Sequence, residues 1–133
     1  YLETFGVPIL GYQTDEFPAF YSRKSGLPVD IRVNSTTEVI KIAKAHWQLG
    51  LNSAILVTVP LPEEHAMPFD IVNRAINNAL QDALDNGFRG AAITPFLLQR
   101  VSELTEGKSL KANLSLLENN ARIAAEISIE LSY

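Results

Sequence analysis

The loop from Gly11 to Gly26 carries the side chains best suited to bind a polar ligand. It combines four polar groups with three apolar walls: Thr14, Asp15, Glu16 and Tyr21, and Phe17, Pro18 and Phe20. The loop follows an apolar run that predicts a buried strand, and ligands of open α/β sheets bind beyond the carboxyl ends of strands. Loops of this length in compact domains are often functional. We expect a ligand or subunit contact here. The alternative is a surface loop packed by its own aromatic side chains.

Two acidic clusters suggest acid–base or metal chemistry. Asp15 and Glu16 form a candidate acid/base pair, although adjacent residues usually point in different directions. The run Glu63-Glu64-His65 suggests the same chemistry or a metal site. Acidic residues in a first helical turn also stabilise the helix dipole. A structural role is therefore favoured for the second cluster.

Amides lie on an apolar face of the last predicted helix. Asn113, Leu117, Asn120 and Ala124 share one face by their spacing. Asn is a poor helix former, and a buried amide needs hydrogen-bond partners. These amides therefore meet either backbone groups or a polar ligand, and the spacing alone favours the structural role.

The elements that position these groups alternate between strands and helices. Apolar runs predict strands over 7–12, 28–33 and 54–59, with at most a short strand over 91–93. The second run alternates and predicts a half-exposed strand at a sheet edge. The third hardly alternates and predicts full burial. This order indicates an α/β fold with a mixed, partly parallel sheet flanked by helices.

Four helices are predicted from periodicity and end signals. They begin after a capping box at 35–38, at 69, at Thr94 as N-cap and at Ser109 as N-cap, and they end at 49, 86, 104 and 131. Their predicted inward faces are Val39, Ile40, Ala43 and Trp47 in the first helix and Val72, Ile76, Ala79, Leu80 and Ala83 in the second. His46 is expected at the solvated edge of the first helix.

Composition limits the class of protein. The 133 residues are 47% hydrophobic and 20% charged, which is typical of one globular domain. The absence of Cys excludes disulfides and Cys-ligated metals. The net charge of −4 argues against a broad nucleic-acid surface, and no apolar run is long enough for a membrane span. The segment from Tyr1 reads as the end of a helix entering a strand. We therefore expect part of a larger protein, cytoplasmic, with an organellar location left open.

Short motifs along nearly the whole chain carry a family resemblance. They are YLET with GVP, GYQTDEFPAFY, SGLP, PLPEEHA, TPFLL, SLKAN and NNAR. Together they resemble the pseudouridine-5′-phosphate glycosidases, the indigoidine synthase A-like family. The resemblance implies a mixed α/β homotrimer. Its implied activity is reversible cleavage of the C–C glycosidic bond of pseudouridine 5′-phosphate, a lyase reaction of nucleotide metabolism that gives uracil and ribose 5-phosphate.

The family's reactive groups are expected outside this chain. The resemblance implies a lysine Schiff base to the opened ribose, a carboxylic acid/base and a divalent metal, usually Mn²⁺. The corresponding family segments lie upstream of Tyr1, so we expect 1–133 to be the C-terminal part of a single α/β glycosidase domain whose N-terminal part is absent. No catalytic residue and no metal ligand is expected on this chain. Its lysines are not substitutes: Lys24, Lys41, Lys44, Lys108 and Lys111.

The resemblance leaves the substrate side to this chain. Asn113 matches the family's substrate-side Asn best, and Thr14 and Asp15 are weaker candidates. An amide suits uracil because it presents both a donor and an acceptor to the base edge. The rival interpretation is a non-catalytic, truncated paralogue that binds a sugar phosphate or only oligomerises. Neither a nucleic-acid polymer nor a membrane is an expected partner.

Overall fold

The computed structural model describes residues 1–132, apart from the side chain of Glu3. Three strands and four α-helices follow one another, with single 3₁₀ turns between some of them. The strands are β1 (Ile9–Tyr12), β2 (Ile31–Val33) and β3 (Leu56–Thr58). The helices are α1 (Thr36–Gln48), α2 (Phe69–Asp85), α3 (Ile93–Leu104) and α4 (Lys108–Leu131). No helix in this part of the chain is long and apolar enough to cross a membrane.

The sheet confirms the α/β prediction. Its order is β2-β1-β3 and both pairings are parallel, with Leu10 opposite Ile31 on one side and opposite Val57 on the other. The second strand lies at an edge, as its alternation predicts. Because all the pairings are parallel, the three carboxyl ends lie along the same edge of the sheet. The polar groups that follow each strand are thereby brought together.

Helix α4 connects two hydrophobic clusters. Its first half adds Ala112 and Leu116 to a cluster with residues of α2, α3 and the loop before α2. Its second half adds Ile127 to a cluster built on Leu10 and Val33 of the sheet. The last helix is therefore fixed against both the strands and the α2–α3 pair.

The start of α1 confirms the capping box, with one difference. The Ser35 hydroxyl accepts a hydrogen bond from the Glu38 amide at 3.2 Å. The Glu38 carboxylate reaches back to the Asn34 amide at 2.7 Å, one residue earlier than the usual partner. Both side chains satisfy backbone donors at the entry to the helix.

The inward face of α1 is partly different from the prediction. His46 is buried, whereas the expected core residue Trp47 is 48% exposed. The His46 Nε2 atom lies 2.9 Å from the Ser53 hydroxyl, and that hydroxyl donates to the Gly6 carbonyl oxygen at 2.5 Å. Burial of the imidazole is tolerated because this partner replaces water.

Helix α2 is rotated slightly from its predicted face. Ala75 is buried, and Leu80, predicted to face the core, is 41% exposed. The small side chains at Ala75, Ala79 and Ala83 face inward. Small residues on this face let α3 pack closely against α2.

Three further predictions are wrong. The segment 90–92 is a 3₁₀ turn rather than a strand, and it leads directly into α3. Thr94 and Ser109 therefore lie inside the first turns of α3 and α4, whose N-caps are Ala92 and Gly107. Gly107 has a φ of 77°, a conformation that glycine adopts at little cost.

The third strand is less buried than predicted. Leu56 and Val57 are only half-buried, and Thr58 alone is buried in β3. The described residues leave a groove open beside this strand, so its apolar side chains have cover on one side only.

Candidate functional site

A polar groove of about 550 Å³ lies at the carboxyl ends of β1 and β3. Tyr12 and Gln13 contribute from the end of β1, and Val59 and Pro60 follow β3. One side of α4 forms the opposite wall with Ser115, Glu118, Asn119 and Arg122. This is the edge at which open α/β sheets bind ligands.

Asn119 and Arg122 form a fixed hydrogen-bonded pair in this wall. The Asn119 Nδ2 atom donates to the Pro60 carbonyl oxygen at 3.2 Å. The Asn119 Oδ1 atom accepts from Arg122 Nη2 at 2.8 Å, and Arg122 Nη1 donates to Glu126 Oε1 at 2.6 Å. The amide therefore orients the guanidinium at the mouth of the groove.

A second arginine approaches from the loop after β1. Arg23 Nη1 donates to the Leu61 carbonyl oxygen at 2.5 Å. Arg23 and Arg122 line the groove together with the carboxylates of Glu64 and Glu118, and His65 completes the lining. The two arginines and the two carboxylates offset each other's charge. The groove is therefore better suited to bind a polar ligand through several hydrogen bonds than to attract an anion by net charge.

An apolar groove of about 570 Å³ lies on the other side of α4. Its walls come from the 11–26 loop and from β3: Phe17, Pro18, Ala19 and Phe20, and Leu56, Val57, Thr58 and Val59. Helix α4 contributes Asn120 and Ala124 to this side. The prediction that Phe17 and Phe20 form apolar walls is confirmed, and both rings remain partly exposed.

Asn113 lies on the side of α4 that faces the apolar groove. It is half-buried, and helical spacing places it in line with Asn120 and Ala124. It is not among the residues that line either groove. Its role in substrate binding stays a prediction.

Thr14 and Asp15 lie elsewhere. They line a separate cavity of about 260 Å³, which shares only Gln13 and Arg23 with the polar groove. Thr14 Oγ1 donates to the Glu16 carbonyl oxygen at 3.0 Å, and Asp15 Oδ2 pairs with Arg32 at 2.6 Å on the surface. The structure therefore does not bring Thr14 and Asp15 together with Asn113, and their binding roles also stay predictions.

The neighbouring carboxylates of the loop do not form an acid/base pair. Glu16 Oε2 accepts hydrogen bonds from the amides of Ser25 at 3.0 Å and Gly26 at 2.8 Å. Asp15 points away to Arg32. Glu16 thus holds the loop closed, which is a structural role.

Tyr21 also has a structural role. It is 5% exposed and belongs to the core cluster with Leu61 and Met67, so it is not a polar group of the loop surface. Burial raises the pKa of its hydroxyl above the ordinary value. Tyr21 therefore remains neutral at physiological pH, and its buried ring anchors the loop directly after the exposed Phe20.

The described residues supply neither a metal centre nor a desolvated lysine. No group of three or more His, Cys, Asp or Glu side chains gathers in residues 1–132, so Glu63-Glu64-His65 is not a metal cluster. All five lysines are exposed. A lysine that forms a Schiff base must lose its proton, which usually requires a desolvated setting. The structure thus gives the implied Mn²⁺ no donor set on this part of the chain.

Sequence reasoning did not single out the pairing of Asn119 with Arg122 or the contribution of Arg23. Asn119 and Arg122 both lie in the NNAR motif and are three positions apart, which places them on one side of a helix. That spacing was an available signal. The contact with Pro60 was not, because it joins segments 59 positions apart.

The sequence of nearly the whole chain matches one family. A sequence model described as "Indigoidine synthase A like protein" matches residues 1–130. The chain belongs to the indigoidine synthase A-like family. Relatives named pseudouridine-5′-phosphate glycosidase include one from Caldanaerobacter subterraneus subsp. tengcongensis, 52% identical over 132 residues, and one from Escherichia coli, 49% identical over 130. These matches cover 99% and 98% of this chain but 43% and 42% of the relatives.

Solved structures of similar proteins show the same fold in longer chains. The prealnumycin C-glycosynthase AlnA, solved in complex with ribulose 5-phosphate, is 39% identical with a TM-score of 0.87. An indigoidine synthase A-like protein from Thermotoga maritima is 39% identical with a TM-score of 0.86. Each match covers 99% of this chain and 43% of the other. The chain therefore spans less than half the length of these two similar proteins.

Proposed function

We propose that the chain is the C-terminal part of a pseudouridine-5′-phosphate glycosidase. The enzyme reversibly cleaves the C–C glycosidic bond of pseudouridine 5′-phosphate to uracil and ribose 5-phosphate. The observation that carries the proposal is the identity of about half of all positions, along nearly the whole chain, to relatives of that name.

The sugar phosphate is the better supported half of the substrate. A similar protein, AlnA, which is 39% identical, has been solved with ribulose 5-phosphate, a five-carbon sugar phosphate like ribose 5-phosphate. A C–C glycosidic bond lacks a heteroatom leaving group. Ring opening followed by an iminium at the sugar carbon provides the electron sink that eases its cleavage. The family resemblance places the lysine that would form this iminium in the N-terminal part of the domain, and the five lysines of this chain, all exposed, are not assigned that role.

The Mn²⁺ implied by the family belongs to the same N-terminal part. The described residues do not gather the ligands to hold it, so no step on this chain passes through the metal. The proposed roles of this chain are to bind and orient. Asn113 presents its amide to uracil, and the loop with Phe17 and Phe20 shields the site from water. Assembly as a cytoplasmic homotrimer is part of the same proposal.

A second candidate is a non-catalytic module that binds a sugar phosphate or oligomerises. It is favoured by one observation: residues 1–132 hold neither a buried lysine nor a three-residue metal cluster. The polar groove, with Arg23 and Arg122, would then be the binding surface. This candidate predicts ligand binding without turnover.

Purification of the native protein from its source separates the two candidates. Intact mass and denaturing gels show whether a second polypeptide, or a longer chain, accompanies 1–133. Release of uracil from pseudouridine 5′-phosphate is then measured. We expect turnover only when the N-terminal part is present. A native sample that contains that part and binds ribose 5-phosphate without releasing uracil would support the non-catalytic module instead.

A further inference from the structure

The end of α2 carries the one Asn-Gly pair of the sequence, at Asn86 and Gly87. Both residues are exposed, and they directly follow the last residue of the helix. Gly87 has a φ of 72°, a left-handed conformation that glycine adopts at little cost. The Gly87 amide donates to the Leu84 carbonyl oxygen at 3.0 Å, and the Phe88 amide donates to that of Ala83 at 2.9 Å. These two bonds form the Schellman motif that often ends a helix.

The side chain of Asn86 adds a further bond to this helix end. Its Nδ2 atom donates to the Asp82 carbonyl oxygen at 2.7 Å, and the same oxygen accepts from the Asn86 backbone amide at 3.1 Å. The cap thus uses an amide side chain at Asn86 and a residue without a side chain at Gly87. As a result, a side-chain amide directly precedes an unhindered backbone nitrogen.

We propose that Asn86 is a site of spontaneous deamidation, in which the Gly87 nitrogen attacks the side-chain carbonyl carbon of Asn86. The new C–N bond closes a five-membered succinimide ring. The bond to Nδ2 breaks, and ammonia leaves with the proton of the Gly87 amide. Water then opens one of the two ring C–N bonds, which gives aspartate or isoaspartate at position 86. Water is the only other reactant, and the inference does not depend on the proposed function.

The surroundings of Asn86 distinguish it from the other asparagines of the chain. Six of these lie inside α2 or α4, where the next residue is also helical: Asn73, Asn77, Asn78, Asn113, Asn119 and Asn120. Asn34 and Asn52 are exposed, but each precedes a serine whose side chain hinders the attack. Asn86 lies at an exposed helix end, and local opening of a frayed end costs much less free energy than unfolding. The bonds of its cap can therefore open while the rest of the protein stays folded.

Deamidation disrupts the end of α2. An isoaspartate lengthens the backbone by one methylene group, so the amides of Gly87 and Phe88 can no longer both keep their hydrogen bonds. Either product also adds a carboxylate next to Asp85 at the C-terminal end of the helix, where the helix dipole disfavours negative charge. Phe88 stacks on Phe96 of α3, with ring centroids 4.2 Å apart. The reaction therefore weakens the connection between α2 and α3.

The test is timed incubation of the native protein, purified from its source, in mildly alkaline buffer. Peptide mapping by mass spectrometry detects the exchange of the amide NH2 for OH, and a protein isoaspartyl methyltransferase labels isoaspartate. Asn52 is the matched control, because it is exposed and lies outside the helices and strands but precedes Ser53. We expect Asn86 to react about tenfold faster than Asn52 or more, because glycine has no side chain to hinder the attack. Isoaspartate should be among the products.

Two variants, introduced into the native gene, connect the reaction with stability. Asn86→Gln keeps an amide but removes the asparagine that cyclises, and Asn86→Asp adds the charge without the longer backbone. We expect the melting temperature of the parent protein to fall during incubation and that of Asn86→Gln to stay constant. The aged parent should also melt below freshly prepared Asn86→Asp.

Four results would overturn the proposal. Equal rates at Asn86 and Asn52 would show that Gly87 gives no advantage. Amide loss without isoaspartate would show direct hydrolysis, which gives aspartate alone. Reaction in urea but none in the native protein would show that the folded helix end prevents the attack. An equal fall in melting temperature for Asn86→Gln would place the damage elsewhere.

Discussion

The side-chain amide of Asn119 donates a hydrogen bond to the carbonyl oxygen of Pro60, 3.2 Å away and 59 positions earlier. Pro60 follows the end of β3, so this bond ties the middle of α4 to the carboxyl edge of the sheet. The other end of the amide accepts from Arg122. One side chain thus sets both the position of the helix and the direction of the guanidinium.

Replacing Asn119 by Ala should therefore destabilise the protein. The Pro60 carbonyl loses its partner in a partly buried setting, and the cost of leaving such a group unpaired is about 1–3 kcal/mol. The matched control is Asn77→Ala in the exposed middle of α2, which removes an amide from a helix and corrects for helix propensity. The measurement is thermal unfolding of the enzyme reconstituted from both parts. Equal melting temperatures for the two variants would contradict the role given to Asn119.

Asn113→Ala should weaken uracil recognition in the reconstituted enzyme. Leaving a polar base edge unpaired costs about 1–3 kcal/mol, which corresponds to roughly 5- to 150-fold in kcat/KM. Schiff-base formation with ribose 5-phosphate should survive, because the proposed function assigns that chemistry to the N-terminal part. The paired measurements are kinetics with uracil varied and borohydride trapping of the ribose adduct.

Together, the uracil kinetics and the adduct trapping distinguish a role of Asn113 in substrate binding from a role in stabilising α4. An Asn113 that only supports α4 lowers the melting temperature and affects uracil kinetics and adduct trapping alike. Equal losses in both assays, or no loss in either, would remove Asn113 from the site. Asn120→Ala is a useful comparison, because Asn120 lies two turns further along the same side of the helix.

The exposed lysines should be dispensable for the chemistry. Arg substitution at all five positions keeps the charge and removes every lysine amine of this chain: Lys24, Lys41, Lys44, Lys108 and Lys111. We expect uracil release by the reconstituted enzyme to stay within about threefold, and the chain alone to be inactive, since covalent activation accounts for many powers of ten. Borohydride trapping followed by peptide mapping should place the ribose adduct on the N-terminal part. An adduct on a lysine of this chain would overturn the assignment.

Glu130 should make stability depend on acid pH. Its carboxylate accepts hydrogen bonds from the Thr36 hydroxyl at 2.5 Å and from Thr37, which closes α4 onto the first turn of α1. These bonds hold the pKa of Glu130 below its ordinary value of 4.5. A depressed carboxyl pKa gives a stabilisation that is present above 4.5 and is lost as the pH falls through the lowered pKa.

Thermal unfolding of Glu130→Gln checks this sign. The variant should melt below the parent protein at pH 7, and the difference in melting temperature should shrink as the pH falls below 4.5 toward the lowered pKa. Glu106→Gln, in the exposed turn before α4, serves as the control for the removal of an exposed carboxylate. A gap that stays constant down to pH 3 would show that Glu130 acts without its charge.

Local patterns predicted most of the elements but not the contacts between them. The capping box at Ser35 depends on neighbouring residues and could be found in the sequence. The choice between His46 and Trp47 depends on Ser53, a residue outside the helix whose hydroxyl oxygen lies 2.9 Å from the buried imidazole nitrogen. The hydrophobic periodicity of α1 does not predict this contact, because Ser53 lies outside the helix. The segment 90–92 forms a 3₁₀ turn, although its short apolar sequence is also compatible with a strand. Whether such a segment becomes a strand depends on a pairing partner elsewhere in the chain, which the local sequence does not show.

Part of the candidate site could also be predicted from the sequence, and part could not. The loop walls Phe17 and Phe20 follow from their position after a strand. The polar groove does not, since Arg23, Pro60 and Asn119 meet only after the sheet and α4 have assembled. The prediction of full burial for β3 was wrong because the cover for Leu56 and Val57 is absent from the described residues.

The parallel order β2-β1-β3 has a consequence for how the chain folds. Ile9 pairs with Leu56, and no hairpin joins any two neighbouring strands. Closing such long loops costs chain entropy before the contacts can compensate, which slows the folding of parallel sheets. During synthesis, β1 therefore has an unpaired edge until residue 58 has left the ribosome. The helices have local hydrogen bonds, so α1 can form before β1 pairs with β3.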